Sequence, residues 1–311
     1  MAEILPSWHD TEPRRRIIDF VTTVTDEGGE GYVAPHDRIA VFDNDGTLWA
    51  ERPAYFQLLF AIDRVRELAP QHPEWVQKPE VQALLAGDLA SAAAGGMKLL
   101  EEVLAVTHAG ITTDEFAEVV AAWVATARHP TTGAAYTEMV YQPMLELLDY
   151  LRAHGFTTYI VSAGGVEFMR VFAEEVYGIP PQQVIGSSIK TELQTNEAGP
   201  VLMRLPAIDF IDDGAGKPVA INRVIGRRPI LAFGNSDGDH EMLQWTAAGD
   251  GPRLMGLVHH TDAEREWAYD RGAVVGGLEE ALDEAHARDW VVVSMKRDWR
   301  AVFPFAAGAG G

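Results

Sequence analysis

The stretch "AVFDNDGTLWAE" (residues 40–51) runs an apolar segment straight into two carboxylates, Asp43 and Asp45, followed by Gly46 and Thr47. A second apolar segment, "FTTYIVS" (156–162), delivers Ser162 just before Ala163, Gly164 and Gly165. A third, "PILAFGN" (229–235), opens into "GNSDGD", with Asn235, Ser236, Asp237 and Asp239. Between the last two, "GAGKP" offers Lys217. If these segments are parallel strands, their carboxyl ends share one edge of a sheet, where open α/β folds bind ligands. Carboxylates, a hydroxyl, an amide and one lysine at a common edge are what phosphoryl transfer with Mg²⁺ requires. Hard oxygens bind the cation, while positive charge and hydrogen-bond donors steady the transferring group. A dication between Asp43 and Asp45 makes their crowding tolerable.

Several elements are needed to place these groups. "RIAVFD" (38–43) is a short apolar run ending at a turn, the pattern of a strand covered on both faces, and 156–162 and 229–235 repeat it. "RLMGLVHH" (253–260) and "WVVVSM" (290–295) are further candidate strands. Helical patterns lie between them, among them "VEFMRVFAEEVYG", stopped by Gly178 and Pro180. Alternating strands and helices predict a parallel sheet with helices on both faces. Residues 51–141 show no strand pattern. There Pro53 is placed to open a helix over "PAYFQLLFAIDRVRELA". Phe116, Val119, Val120, Trp123 and Val124 recur at helical spacing behind "TTDE", a capping-box pattern. This stretch is expected to be an inserted, all-helical domain. "KTELQTNEAGPVLMRL" (190–205) reads as a β-hairpin turning at Asn196 to Pro200.

With these motifs in this order, the chain resembles the haloacid dehalogenase (HAD) superfamily in its phosphatase branch, above all its phosphoserine-phosphatase-like members. "DNDGT" is similar to the DxDGT nucleophile motif, Ser162 to the hydroxyl motif, Lys217 to the lysine motif and "GNSDGD" to the acidic GDxxxD loop. The resemblance implies a Rossmann-like parallel-sheet core over residues 1–50 and 142–311, with a C1-type helical cap over 51–141. It also implies that Asp43 attacks phosphorus to give an aspartyl phosphate, and that Asp45 serves as general acid and then base. Thr47, Ser162, Ala163 and Lys217 would bind the phosphoryl group. Mg²⁺ would be held by Asp43, the Asp45 backbone carbonyl, Asn235 and Asp239. Glu51 and Arg52, where the chain passes into the cap, would face a small phosphorylated metabolite such as an amino-acid or sugar phosphate. One position departs from the family pattern: Asn235 stands where the acidic loop usually has its first aspartate.

Competing readings fare less well. "GAGK" lacks the glycine a phosphate-binding loop needs five residues before Gly216, where Ile211 stands, and Pro218 replaces its Ser or Thr. Zinc has no His-Glu-x-x-His pattern to bind, and the adjacent His259 and His260 would point to opposite sides of a strand. The pair in "EREWAYDR", Trp267 and Tyr269, is expected to pack rather than bind. Halide displacement on this scaffold leaves Asp45 without a task, because halide departs unprotonated. Transfer of the phosphoryl group to an alcohol, or phospholigand binding without turnover, stays open. A net charge of −21 argues against nucleic-acid and anionic-membrane partners. The chain has no cysteine, so disulfides and thiolate metal sites are excluded. It shows neither a run of 18 apolar residues nor a signal-peptide pattern in "MAEILPSWHDTEPRRR", which gives a cytoplasmic expectation. No oligomeric state follows from the sequence.

Overall fold

The computed structural model describes residues 3–73, 79–86, 107–197 and 199–307. Seven strands form one sheet: β1 (Ile39–Phe42), β2 (Thr157–Gly165), β3 (Val184–Asn196), β4 (Gly199–Phe210), β5 (Leu231–Gly234), β6 (Leu254–His259) and β7 (Val291–Ser294). Their spatial order is β4-β3-β2-β1-β5-β6-β7. All pairings are parallel except β3 with β4, which is the hairpin expected from the sequence, with Asn196 opposite Gly199.

β1 and β5 are apolar throughout because both faces are covered. In β1, Ala40 and Phe42 join one hydrophobic cluster, and Ile39 and Val41 join the other. Successive side chains of a strand point to opposite faces, so the two clusters lie on either side of the sheet. Parallel register sets Phe42 beside Phe233, and their rings stack at 5.9 Å. On one side pack α1 (Glu12–Thr25) and, from further along the chain, α5 (Gln142–Ala153). On the other pack α8 (Gly216–Val224), α9 (His240–Ala247) and α10 (Glu280–Ala287).

Between β1 and α5 lie α2 (Phe56–Leu68), α3 (Pro79–Ala86) and α4 (Thr113–Thr126). Thr112 caps α4: its hydroxyl accepts from the Glu115 amide while the Glu115 carboxylate accepts from the Thr112 amide. The chain leaves and rejoins the sheet side by side, with Ala50 N–H donating to Met139 O and Tyr141 N–H to Leu48 O. The insertion also grips the hairpin, since Arg204 N–H donates to Ile111 O and Gly110 N–H to Arg204 O. Part of the expected cap, 87–106, lies outside the described residues. Among the described residues no helix is long and apolar enough to cross a membrane.

Two expectations shift. The helix over 53–69 starts at Phe56, with 53–55 forming its approach. The single helix expected after Ser162 is two short ones, α6 (Val166–Arg170) and α7 (Ala173–Tyr177). The break falls at Phe172, whose ring stacks on Trp49 at 4.7 Å and meets Phe168 edge-on, so packing has overridden helical continuity.

Candidate active site

Asp43, Ser162 and Asn235 stand at the carboxyl ends of three adjacent strands, β1, β2 and β5, and α8 brings Lys217 to the same edge. The Lys217 ammonium is buried and donates to Asp43 Oδ1 at 2.6 Å, Asp239 Oδ1 at 2.5 Å and the Val161 carbonyl at 3.0 Å. Burial alone would lower its pKa, but the charges of Asp239 and Asp43 more than reverse this and hold the ammonium above its usual range. Burial, reinforced by the Asp239 charge, pushes the Asp43 carboxyl well up, and Lys217 opposes that push. Burial also raises Asp45, against a hydrogen bond from Trp49 Nε1 to Asp45 Oδ1 at 2.8 Å. That indole fixes the orientation of the second carboxylate.

Asp43, Asp45, Ser162, Ala163, Lys217 and Ser236 line one end of a cavity of about 430 Å³. The rest of its wall comes from α2 and α4 of the insertion, from α6, and from the hairpin. Gln57 of α2 reaches the Ser162 turn directly, its Oε1 accepting from Gly165 N–H at 2.6 Å. The insertion therefore covers this edge of the sheet.

The other residues singled out in the sequence take different places. Thr47 is buried and does not line the cavity; its hydroxyl donates to Asn235 Oδ1 at 3.2 Å. Asn235 in turn donates through Nδ2 to Glu51 Oε1 at 2.8 Å, and Tyr269 donates to the same oxygen at 2.7 Å. Glu51 does line the cavity, but as a buried residue raised well above the usual carboxyl range by burial. Arg52 points elsewhere, lying over the Tyr269 ring at 4.1 Å and donating to Val275 O, so the aromatic face and that carbonyl hold it away from the cavity. Asp239 uses Oδ1 on Lys217 and Oδ2 on the Asn235 and Ser236 amides. Asp237 accepts from the Glu279 and Ala281 amides, capping α10.

Several contributors were not apparent from the sequence. His260 Nε2 donates to the Gly46 carbonyl at 2.8 Å, and its Nδ1 meets Glu266, which also accepts from Tyr141. This buried network braces the Asp43–Asp45 turn from behind. The signal was available: His260 directly follows β6, at the same sheet edge as the other functional groups. Gly46 is required here twice over. Its φ is +78°, and a Cβ would collide with Asn235 Nδ2 and Glu51 Oε1. Asp212, beside Lys217, is fully buried, and burial pushes it up to about 7 against the pull of Lys217 and the Ser162 backbone.

Among the described residues, no three His, Asp or Glu side chains converge on one point. Oxygen donors do stand at this sheet edge: the Asp43 and Asp45 side chains line the cavity, and the Asn235 amide oxygen, which accepts from Thr47, follows the neighbouring strand. Mg²⁺ is commonly held by one or two carboxylates, retained waters and substrate phosphate, and this donor set suits that mode. Burial raises Asp43 most, and the charges of Asp239 and Asp45 add to it; a dication would relieve that second part.

Comparison with solved structures agrees with this fold. A functionally unknown protein from Anaerococcus prevotii DSM 20548 superposes with a TM-score of 0.58 at 17% identity, covering 94% of each chain. A protein of unknown function from Bordetella pertussis Tohama I gives 0.52 at 15%, covering 83% of this chain and 98% of that one. A phosphoserine phosphohydrolase-like protein from Francisella tularensis gives 0.43 at 16%, over 84% and 95%. No curated protein sequence matches. Residues 40–244, from β1 to α9, match the haloacid dehalogenase-like hydrolases, and the chain belongs to that family.

Proposed function

We propose that this hydrolase is a Mg²⁺-dependent phosphomonoesterase that works through an aspartyl phosphate. One observation carries the reading: a buried ammonium bridges Asp43 and Asp239 while Asp45, two residues on, is separately oriented by Trp49 and raised by burial. Burial raises both carboxyls; Lys217 opposes that rise at Asp43, while Asp45 carries the raised affinity for protons that a general acid needs.

In the first step Asp43 attacks phosphorus, the bond from phosphorus to the leaving oxygen breaks, and Asp45 gives its proton to that oxygen. In the second, water attacks phosphorus, Asp45 takes the water's proton, and the bond from Asp43 to phosphorus breaks, releasing phosphate. Lys217 and Ser162 steady the equatorial oxygens. Asp43, the Asp45 carbonyl and Asn235 would hold Mg²⁺, which would supply charge neutralisation to the phosphoryl group. The helical insertion acts as a cap, lowering the dielectric around these groups so that each contact counts for more.

The test is hydrolysis of p-nitrophenyl phosphate with Mg²⁺ or with excess EDTA, for the wild type and Asp43→Asn. Activity is expected only in the wild type with Mg²⁺, with the variant still folded by circular dichroism. Turnover by Asp43→Asn near the wild-type rate would exclude the covalent route.

A further inference from the structure

We propose that the leaving alcohol this site accepts has an apolar body, in preference to a sugar or other polyol. The inference rests on the phosphomonoesterase reading and concerns the half of the cavity that the phosphoryl group does not fill. That half is walled by Leu58 and Ala61 of α2, Phe116 of α4, Phe168 of α6, and Ile208 and Phe210 of the hairpin. Polar side chains are present there too, and several are already engaged by the protein. Gln57 Oε1 accepts from Gly165 N–H and its Nε2 meets His108. Ser187 accepts from the Asp212 amide, and Ser188 donates to Asp209. Arg204 donates to the His108 carbonyl at 2.7 Å, lies over the Phe116 ring at 3.8 Å and is ion-paired with Glu167. Its charge is therefore balanced inside the wall.

A polyol entering this space would strip water from several hydroxyls and find few partners, at a loss of roughly tenfold for each hydroxyl left unpaired. An alkyl or aryl body meets matching surface instead. Each methylene transferred from water to such a wall is worth about fourfold in affinity. The volume, about 430 Å³, is in the ordinary range for a small-molecule site and exceeds what a phosphoryl group alone needs.

The experiment uses n-alkylphosphonates of one to eight carbons, which cannot be hydrolysed, titrated calorimetrically into the full chain with Mg²⁺. The matching n-alkyl phosphates and glycerol 1-phosphate are assayed in parallel for phosphate release. Affinity is expected to rise about fourfold per carbon over the first several members and then level off. Butyl phosphate should exceed glycerol 1-phosphate at least tenfold in kcat/KM. Ile208→Asn, on the half-exposed hairpin, should flatten the chain-length dependence. Affinity that is flat or falling along the series overturns the proposal, as does an unchanged slope in Ile208→Asn. Chain-length-dependent binding without phosphate release from any ester would refute the phosphatase reading and leave the apolar subsite standing. Release from every ester at equal kcat/KM would do the reverse.

Discussion

Replacing Asp212 by asparagine is expected to stabilise the protein, by an amount that grows with pH. Asp212 lies just before the Gly-rich turn to α8 and is fully buried. Burial raises its carboxyl from 3.8 to about 7, against the opposing pull of Lys217. A raised folded-state pKa means that the native protein binds the proton more tightly than the unfolded chain, so stability falls as pH rises between these two values. At about 1.4 kcal/mol per pH unit, the gap sets a ceiling near 4 kcal/mol at pH 8, and about 1.5 kcal/mol at pH 5. Below about pH 4 both states are protonated and the penalty vanishes. Asparagine keeps the shape and cannot ionise. Guanidinium unfolding of wild type and Asp212→Asn in metal-free buffer at pH 5 and pH 8 reads the difference. The variant should gain about 2 kcal/mol or more on the wild type between the two values. A variant less stable than wild type at pH 8, or an offset independent of pH, would refute the burial argument.

Three further outcomes follow from the site. Lys217→Met leaves Asp43 and Asp239 facing each other without a cation, and should cost about 3–5 kcal/mol in chemical denaturation as well as abolishing turnover. Asp45→Asn should lower kcat on alkyl phosphates by about 10²–10⁴ while affecting p-nitrophenyl phosphate far less, because a good leaving group departs without a proton; equal losses on both substrates would contradict the general-acid role. Glu51→Ala removes the acceptor shared by Asn235 and Tyr269, and calorimetry should show Mg²⁺ affinity reduced about 10–100-fold, as expected for a residue that orients a ligand.

The parts legible in the sequence were those fixed by short-range pattern. β1 and β5 stand out because strands buried on both faces need uninterrupted apolar residues, and the α4 cap is contained in four consecutive residues. Asp43, Asp45 and Ser162 fall together because parallel strands send their carboxyl ends to one edge, and the turn into α8 adds Lys217 there. Side-chain direction beyond that edge was not legible. Arg52 adjoins Glu51, yet only Glu51 lines the cavity while Arg52 turns to the Val275 carbonyl, 223 positions away. Thr47 and Asn235 hydrogen-bond each other across a similar separation. The Glu167–Arg204 pair joins a helix to a hairpin, and no local pattern announces it.

The backbone pairing of Leu48 and Ala50 with Met139 and Tyr141 has a consequence for how such a protein can diversify. The two bonds close the neck of the insertion, so the sheet is complete whatever chain is hung between them. Lengthening a loop whose ends already meet adds only about 0.6 kcal/mol of closure entropy per doubling. A lid of another size or shape could be grafted at this neck, exchanging the part of the cavity wall that α2 and α4 supply while Asp43, Asp45 and Lys217 keep their positions.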